Sequence, residues 1–494
     1  MSSFPTNSPT TSRWDKLPVW AVTITGLVWM VFAIFSSDAT TGENLFRGYF
    51  IQDADEVVRA WQARCIGQNP NIIPYSNLSM PGWTLLLAMG EWIAQSVGAP
   101  LTLMGRVMTA AFGWACLHHL VQWTRNMGAD WKLSLSAVLM IVACPAFFLL
   151  GFSVYPSVAL ASILVMALRY WSEERLFAAV AILSWAPMIR WEGILLVGLF
   201  GLAVLIRKRW KLIPVLLFPY SIFLGFNAYL YTNPLKPLLY RTNVWKVFHP
   251  ELVWETVKPA LINVSLFYSP LIWLLGILAA LWLLFRARKQ HWMLALAAIG
   301  LTTSLFSINH QHTVWVIRVF ATPWMLCVMC IIVSAIRVSN DVLKRVVLIA
   351  SLTAVLISAA LSFSKIDGQT LPAEGGFRHE PGFHLYVRQA DATPVVSWLG
   401  QQPADWVIIN PLNANLMRAD PTCKLQNNAI RMGTSNVSMD RSFKVTFGLP
   451  PGEGLLVFHT MPFAVNGCEE VKRFEKSNMV IHRCRNTTSV SAVQ

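Results

Sequence analysis

Residues 17–35 read LPVWAVTITGLVWMVFAIF, an apolar run without a charged side chain. A run of this length is sufficient to cross the hydrocarbon core of a bilayer, which is about 30 Å thick. No cleavable signal is evident before it, so we expect it to remain as the first membrane span. Of the 494 residues, 55% are hydrophobic and 13% are charged, whereas about a quarter are charged in a soluble domain. This composition excludes a water-soluble globular protein.

Ten more apolar runs follow the first, so the sequence predicts an α-helical polytopic membrane protein with about eleven transmembrane helices. A further segment, 81–97, is apolar but short, begins with Pro-Gly and carries Glu91 in its middle. The ten later spans are predicted at 102–123, 133–150, 156–172, 176–189, 193–206, 212–230, 264–285, 292–308, 317–336 and 346–363.

The distribution of basic residues decides how segment 81–97 lies. Lys and Arg number 39 against 25 Asp and Glu, a formal net charge of +14 that is often seen in nucleic-acid-binding proteins. Here the basic residues form short clusters between apolar runs, which is typical of loops retained at the cytoplasmic face. All six clusters face the cytoplasm only if segment 81–97 does not cross, so we predict an interfacial or re-entrant helix there and no nucleic-acid partner. The clusters lie within 13–16, 125–132, 169–175, 207–211, 286–289 and 337–345.

This topology predicts two domains. Residues 1–363 form the transmembrane domain, with a cytoplasmic N-terminus and a first exterior loop over 36–101. Residues 364–494 form a small exterior C-terminal domain, because the long apolar runs stop there. An α/β fold is predicted for this domain from a helical stretch at 383–399 and strand-like runs at 406–409, 455–459 and 479–482.

Four of the eight cysteines lie outside the predicted spans, where an oxidising compartment permits disulfides. Their connectivity stays open, although one disulfide among the last three is the main candidate. Cys327 and Cys330 have C-x-x-C spacing inside an apolar span without a second ligand pair, so we interpret them as small buried side chains rather than a zinc site. The four exterior cysteines are Cys65, Cys423, Cys468 and Cys484.

An acidic motif, Asp53-Ala54-Asp55-Glu56, follows the first span on the first exterior loop. It precedes an apolar rhythm typical of a helix, on which Asp55 and Arg59 are four residues apart and can pair. Carboxylates at such a position also serve as helix N-caps, which is the structural alternative. The motif is nevertheless the densest acidic group in the exterior loops near the spans, and this favours a functional role.

Other polar side chains are predicted on the same membrane face. Arg190 and Glu192 lie between two unusually short apolar runs, where they pair with each other or line a polar cavity. The remaining candidates precede or follow spans, and snorkelling to the interface is their alternative explanation. They are Lys236, Arg241, His310, His312 and Arg318.

Acids and bases on one membrane face suit the transfer of a group from a lipid-linked phosphate. A carboxylate can deprotonate an acceptor hydroxyl, while cations hold the donor phosphate and stabilise the charge of the leaving group. Membrane spans and the interfacial helix would bind the lipid tail. The sequence thus predicts a lipid-linked donor and membrane lipids as partners.

The order of these motifs resembles that of the GT-C superfamily of polytopic glycosyltransferases. The resemblance covers most of residues 14–363: acids after span one, a Pro-containing amphipathic helix from Met80, an Arg-x-Glu-Gly turn, an exterior Asn-Pro-Leu loop and a late Arg at a span start. It implies inverting transfer of a sugar from a polyprenyl or dolichyl phosphate to a glycan, lipid or protein acceptor. It also implies Asp55 as general base, with Glu56 adjacent and Asp53 as its rival. Arg59 stands where an aromatic residue is usual, so the sub-family stays open.

Cofactor and location follow from the same resemblance. Arg and Lys alone can hold a monophosphate donor, so no cofactor is required. A pyrophosphate donor would favour Mg²⁺ or Mn²⁺ held by Asp53 and Asp55. We expect a bacterial inner membrane, with the C-terminal domain in the periplasm, rather than the endoplasmic reticulum.

Three other classes of protein compete with this prediction. A transporter or flippase predicts symmetry between halves and charges near the bilayer midplane, and the sequence has no such repeat. A non-catalytic scaffold subunit with a GT-C-like fold would use the acids only as helix caps. A polysaccharide polymerase or ligase is expected to carry its large exterior loop late in the chain, whereas the acid-bearing loop here comes first.

Overall fold

The structure is a computed structural model and describes residues 13–35, 54–66, 81–190, 192–231, 268–286, 291–308, 320–338, 340–364, 389–404, 406–409, 416, 420, 438–439, 445–446, 452–459, 468–476 and 479–486. Within these residues the chain forms sixteen α-helices and six β-strands. Helices α1 to α8 are Leu17–Phe35, Ala54–Cys65, Pro81–Ser96, Leu103–Asn126, Trp131–Val142, Pro145–Leu150, Ser157–Ser172 and Leu176–Leu183. Helices α9 to α16 are Ala186–Ile189, Gly193–Ile206, Ile213–Tyr231, Pro270–Arg286, Trp292–Ile308, Ala321–Arg337, Asp341–Ser364 and Gln389–Leu399.

Each predicted span coincides with one or two of these helices, and segment 81–97 coincides with α3. Two predicted spans are divided. Pro145 is the first residue of α6, and Pro187 lies in the first turn of α9. Proline has no N–H to donate and is favoured where a helix begins, so it ends one helical segment and starts the next.

Helices α1 and α4 run antiparallel. At the C-terminal end of α4, Arg125 donates a hydrogen bond to the backbone carbonyl of Asp15, just before α1. The end of α1 and the start of α4 therefore share the opposite end of the bundle.

Further polar contacts gather at the end of the bundle that holds Asp15 and Arg125, here called the basic end. They join the C-terminal ends of α4, α7, α10 and α14 to the segments beside them. Basic residues from separate clusters in the sequence therefore share one end of the fold. The pairs are Asn126 with Glu173 at 3.0 Å, Glu174 with Arg207 at 2.8 Å, and His291 with Arg337 at 3.2 Å.

Large apolar side chains cover the outside of the bundle. Among the residues that the structure describes, two helices, Trp14–Phe35 and Asp341–Ala360, are by length and composition long and apolar enough to cross a membrane, and eight shorter apolar helices accompany them. An exposed apolar surface of this extent is unfavourable in water and is expected to face lipid. Exposed examples are Trp20, Ile24 and Phe35 of α1, Phe218 and Ile222 of α11, Leu274 and Phe285 of α12, and Ile349 and Leu356 of α15.

The C-terminal unit consists of α16 and a four-stranded sheet of order β1-β4-β6-β5. Strand β1 is parallel to β4, whereas the β4–β6 and β5–β6 pairs are antiparallel. Cys468 and Cys484, which are opposite each other on β5 and β6, form a disulfide. The strands are Trp406–Ile409 (β1), Ser438–Met439 (β2), Val445–Thr446 (β3), Gly452–His459 (β4), Cys468–Phe474 (β5) and Met479–Asn486 (β6), and β2 pairs with β3 in a separate small sheet.

Candidate active site

Helix α2 carries part of the predicted acidic motif. Asp55 and Glu56 lie in its first turn, although their side chains fall outside the described residues, as does Asp53 altogether. The seven residues from Arg59 to Cys65 are all buried. Because two arginines and a glutamine lie in this stretch, α2 needs polar partners in its surroundings.

Arg59 faces an aromatic ring from a different part of the chain. Its guanidinium carbon lies 5.7 Å from the centre of the Tyr155 ring, and only 5% of Arg59 is exposed. Such a contact stabilises a buried cation by roughly 2 kcal/mol when it is desolvated. It also places α2 against the segment that leads into α7.

The same segment holds Arg190. The hydroxyl of Ser157, two residues after Tyr155, accepts a hydrogen bond of 2.9 Å from Arg190 Nη1. Arg190 Nε also donates to Glu192 at 3.0 Å, and Glu192 is 2% exposed. The pairing that the sequence allowed for Arg190 and Glu192 is therefore present, and the segment 155–157 joins Arg190 to Arg59. We call this end of the bundle, opposite the basic end, the site end.

A tight turn holds the Arg190–Glu192 pair. It connects the four-residue helix α9 to α10 and closes on Gly193. A Cβ atom at Gly193 would collide with the backbone carbonyl of Ala186. This close approach explains why glycine occupies the position. It also fixes the backbone positions of Arg190 and Glu192 relative to each other.

Tyr268, just before α12, completes the described aromatic surroundings. It is fully buried, and its ring centre lies 5.4 Å from that of Trp324.

A buried ion pair fastens α2 to α3. Arg64 Nη2 lies 2.8 Å from a carboxylate oxygen of Glu91, and it also donates to the carbonyl of Ala99 at 3.2 Å. Burial raises the pKa of the Glu91 carboxyl, while the charge and hydrogen bonds of Arg64 oppose this rise. Helix α3 is thus bound to the helix that carries Asp55.

Several of these positions were not among the predicted site residues. They include the Arg64–Glu91 pair, Tyr155, Ser157 and Arg106, which is 3% exposed in the first turn of α4. A charged residue inside an apolar run was the available signal for Arg106 and Glu91. Tyr155 and Ser157 gave none, because they resemble the ordinary start of a span.

The remaining predicted substrate-binding residues lie outside the described residues, so the structure does not place them relative to Arg59. They are Lys236, Arg241, His310, His312 and Arg318. Among the residues that the structure describes, no group of three or more His, Cys, Asp or Glu is arranged to hold a metal ion. Cys327 and Cys330 are free and buried, in agreement with their interpretation as packing residues.

The fold of the chain is similar to that of a protein of known structure, although its sequence matches none of the known families. No protein-family model and no curated protein sequence matches the chain. Among solved structures, the crystal structure of ArnT from Cupriavidus metallidurans bound to undecaprenyl phosphate matches with a TM-score of 0.52 at 12% identity, over 97% of this chain and 100% of that chain. The apo structure of ArnT gives a TM-score of 0.49 at 11% identity, over 94% and 98%. The chain therefore shares its fold with ArnT over nearly its full length, which supports the fold expected from its resemblance to the GT-C superfamily.

Proposed function

We propose that the protein is an integral membrane glycosyltransferase that uses a polyprenyl phosphate-linked sugar, or its dolichyl counterpart, as donor. The observation that supports this most directly is the full-length likeness in fold to ArnT, which was solved with undecaprenyl phosphate. The position of α2 adds to it, because the helix that begins with the acidic motif lies at the same end of the bundle as Arg59 and Arg190. An acid and cations at one membrane face are what transfer from a lipid phosphate requires.

In the proposed reaction, Asp55 removes the proton from the acceptor hydroxyl. The acceptor oxygen forms a bond to the anomeric carbon of the sugar while the bond from that carbon to the phosphate oxygen breaks. Polyprenyl phosphate leaves with the electron pair, and attack from the opposite face inverts the configuration. Glu56 is adjacent to the base, and Asp53 is the alternative base.

Cations stabilise the leaving phosphate in this proposal. Arg59 is the described candidate, since its guanidinium is buried at the site end, 5.7 Å from the centre of the Tyr155 ring. Arg190 is bound to Glu192 and Ser157, so its proposed contribution is to shape the site end as well as to add charge. Further contacts to the phosphate or the acceptor are proposed for Lys236, Arg241, His310, His312 and Arg318.

No cofactor is needed for a monophosphate donor. If the donor is a pyrophosphate, Asp53 and Asp55 would hold Mg²⁺ or Mn²⁺, which prefer carboxylate oxygens. We place the protein in a bacterial inner membrane with the basic end in the cytoplasm, because basic clusters are retained on that side. The site end and the C-terminal unit then face the periplasm.

A binding assay tests the donor class. Purified protein in nanodiscs is incubated with undecaprenyl phosphate or, as the matched control, undecaprenol, and bound lipid is measured by native mass spectrometry. We expect retention of the phosphate form and little retention of the alcohol. Equal retention of both would overturn the assignment of a lipid-phosphate donor.

A transfer assay tests the base. Release of undecaprenyl phosphate from the lipid-linked sugar pool is followed in membranes that overproduce the wild-type protein, Asp55→Asn or Asp53→Asn. We expect Asp55→Asn to abolish release and retain lipid binding, and Asp53→Asn to have the smaller effect. Unchanged turnover in Asp55→Asn would exclude that residue as the base, and an inactive wild type that binds no lipid would favour the scaffold hypothesis.

A further inference from the structure

We propose that the C-terminal unit positions helix α2 for transfer, and that Trp61 and Cys65 are the positioning residues. This inference rests on the proposed function, since it takes α2 as the helix that carries the base. The C-terminal unit would then hold in place the helix that carries the base.

The first observation is that two α2 side chains belong to the hydrophobic core of the C-terminal unit. Trp61 and Cys65 are 1% and 0% exposed. They are four residues apart and so lie on the same face of the helix. The core residues that share this cluster with them include Val395 and Leu399 of α16, Val407 of β1, Leu455 and Val457 of β4, and Met479 and Ile481 of β6.

The second observation is that other faces of α2 are held by the membrane bundle. Ala63 belongs to the core of the bundle. Arg59 contacts Tyr155, and Arg64 pairs with Glu91 of α3. Helix α2 therefore lies between two hydrophobic cores and contributes side chains to both.

The third observation is covalent. Cys65, the last residue of α2, is disulfide-bonded. Four other cysteines are free and Cys468 pairs with Cys484, so from the sequence we expect Cys423 to be its partner. A bond between these two cysteines would tie α2 to the C-terminal part of the chain.

The position of Asp55 depends on how the other end of α2 is held. Asp55 lies in the first turn of α2, and Cys65 is the last residue of this twelve-residue helix. Ten residues of α-helix span about 15 Å, so a small rotation about one end displaces the other by an ångström or more. A displacement of 1 Å at a reacting group costs about 100-fold in rate. Loss of the Trp61 contact should therefore lower kcat more than it raises KM.

Variants of two tryptophans test the proposal. Trp61→Ala removes the contact that α2 makes with the core of the C-terminal unit. Trp398→Ala, the matched control, weakens the same core at a residue that packs on Phe474. We expect Trp61→Ala to lower kcat 10- to 100-fold with KM for the donor changed less than threefold, Trp61→Phe to restore most of kcat, and Trp398→Ala to retain it. An unchanged kcat in Trp61→Ala, or an equal loss in Trp398→Ala, overturns the proposal.

Hydrogen exchange of residues 59–66 supplies a readout that needs no transfer activity. We expect faster exchange in Trp61→Ala and in Cys65→Ser than in Trp398→Ala, even if the proposed function fails. Peptide mapping without reductant should yield a peptide that joins Cys65 to Cys423. Unchanged exchange, or a different partner for Cys65, would show that the C-terminal unit does not hold α2 in this way.

Discussion

Arg64 of α2 donates from both Nε and Nη2 to a single oxygen of Glu91 in α3, at 3.0 and 2.8 Å. The side chains are 6% and 0% exposed, so both charges have left water. The Coulomb attraction and the extra bond to Ala99 compensate for that desolvation only while both partners are present. The burial of each charge is therefore tolerated only in the presence of the other.

Removing one partner should therefore cost more than removing both. We expect Glu91→Gln or Arg64→Met alone to lower the free energy of unfolding by about 3–5 kcal/mol, because a buried charge stays unpaired. The double variant Arg64→Met with Glu91→Leu should lie closer to the wild type. Unfolding monitored by tryptophan fluorescence in detergent measures all three.

The exposed pair of Arg473 and Glu470 in the C-terminal unit is the matched control for this cycle. Its side chains are 51% and 40% exposed, and such pairs contribute about 0–1 kcal/mol. Arg473→Met should therefore change unfolding little. A similar loss for both pairs, or a double variant no more stable than the singles, would contradict the argument.

Gly193 and Gly198 in α10 offer a second comparison. A Cβ atom at Gly193 meets the Ala186 backbone, whereas one at Gly198 meets nothing within 4 Å. We expect Gly193→Ala to destabilise the protein by about 1–3 kcal/mol through overpacking. Gly198→Ala should be neutral or slightly stabilising, since alanine favours a helix by about 1 kcal/mol. Melting temperatures of the two variants decide the point, and equal shifts would refute it.

His291 at the basic end predicts a dependence of stability on pH. Burial, together with the charge of Arg337, lowers the pKa of His291 from 6.5 to about 4. The folded state therefore favours neutral His291, whose Nε2 accepts a hydrogen bond from Arg337. Its contribution to stability is present above pH 6.5 and is lost as the pH falls toward 4.

Melting temperatures of the wild type and His291→Gln between pH 4 and pH 7.5 test whether His291 stabilises the protein less as the pH falls. Glutamine can still accept the hydrogen bond from Arg337 but does not titrate. We expect the difference in melting temperature to shift in favour of His291→Gln as the solution is acidified. Parallel curves over the whole range would show that folding does not change the pKa of His291.

The proposed orientation predicts which side chains a membrane-impermeant thiol reagent can reach. Glu174 at the basic end and Arg485 on β6 have side chains 71% and 74% exposed, and the four free cysteines are buried. We expect Arg485→Cys to be labelled at the outer face of the inner membrane. Glu174→Cys should be labelled only after that membrane is permeabilised, and the reverse pattern would invert the topology.

The membrane bundle was largely predictable, because apolar length alone specifies where a helix can cross. The divisions at Pro145 and Pro187 were missed, since both lie inside continuous apolar runs. In the C-terminal unit, β1 was predicted with its exact bounds of Trp406–Ile409, and the runs at 455–459 and 479–482 fall within β4 and β6. Residues 383–388 of the predicted helix lie outside the described residues, and α16 begins at Gln389.

Strand β5 was not predicted, and its position in the sheet explains why. Among the described strands it pairs with β6 alone, at the edge of the four-stranded sheet, and its sequence, CEEVKRF, is mostly charged. Edge strands commonly carry charges, so hydrophobic patterning does not detect them. The disulfide among the last three cysteines was predicted, but the choice of Cys468 and Cys484 depended on strand register.

The candidate site was harder to predict than the fold. Arg190 and Glu192 were singled out because charges at membrane depth need a partner or a polar cavity, and Arg59 because it follows the acidic motif by one helical turn. Their connection through Tyr155 and Ser157 depends on packing between distant segments, which leaves no local pattern. The burial of α2 was missed for the same reason, since a polar helix that is buried on all sides resembles a surface helix in sequence.

The attachment of α1 has a consequence for how the chain is made. The Trp29 indole donates a hydrogen bond of 3.1 Å to the carbonyl of Phe148, 119 residues later, and its ring packs where Gly113 and Gly151 leave room. A ribosome completes α1 long before it synthesises these partners. The first helix must therefore wait beside the insertion machinery or in lipid, with its indole N–H unpaired, until α4 and α6 are inserted. Maturation of the bundle is then timed by the arrival of its sixth helix.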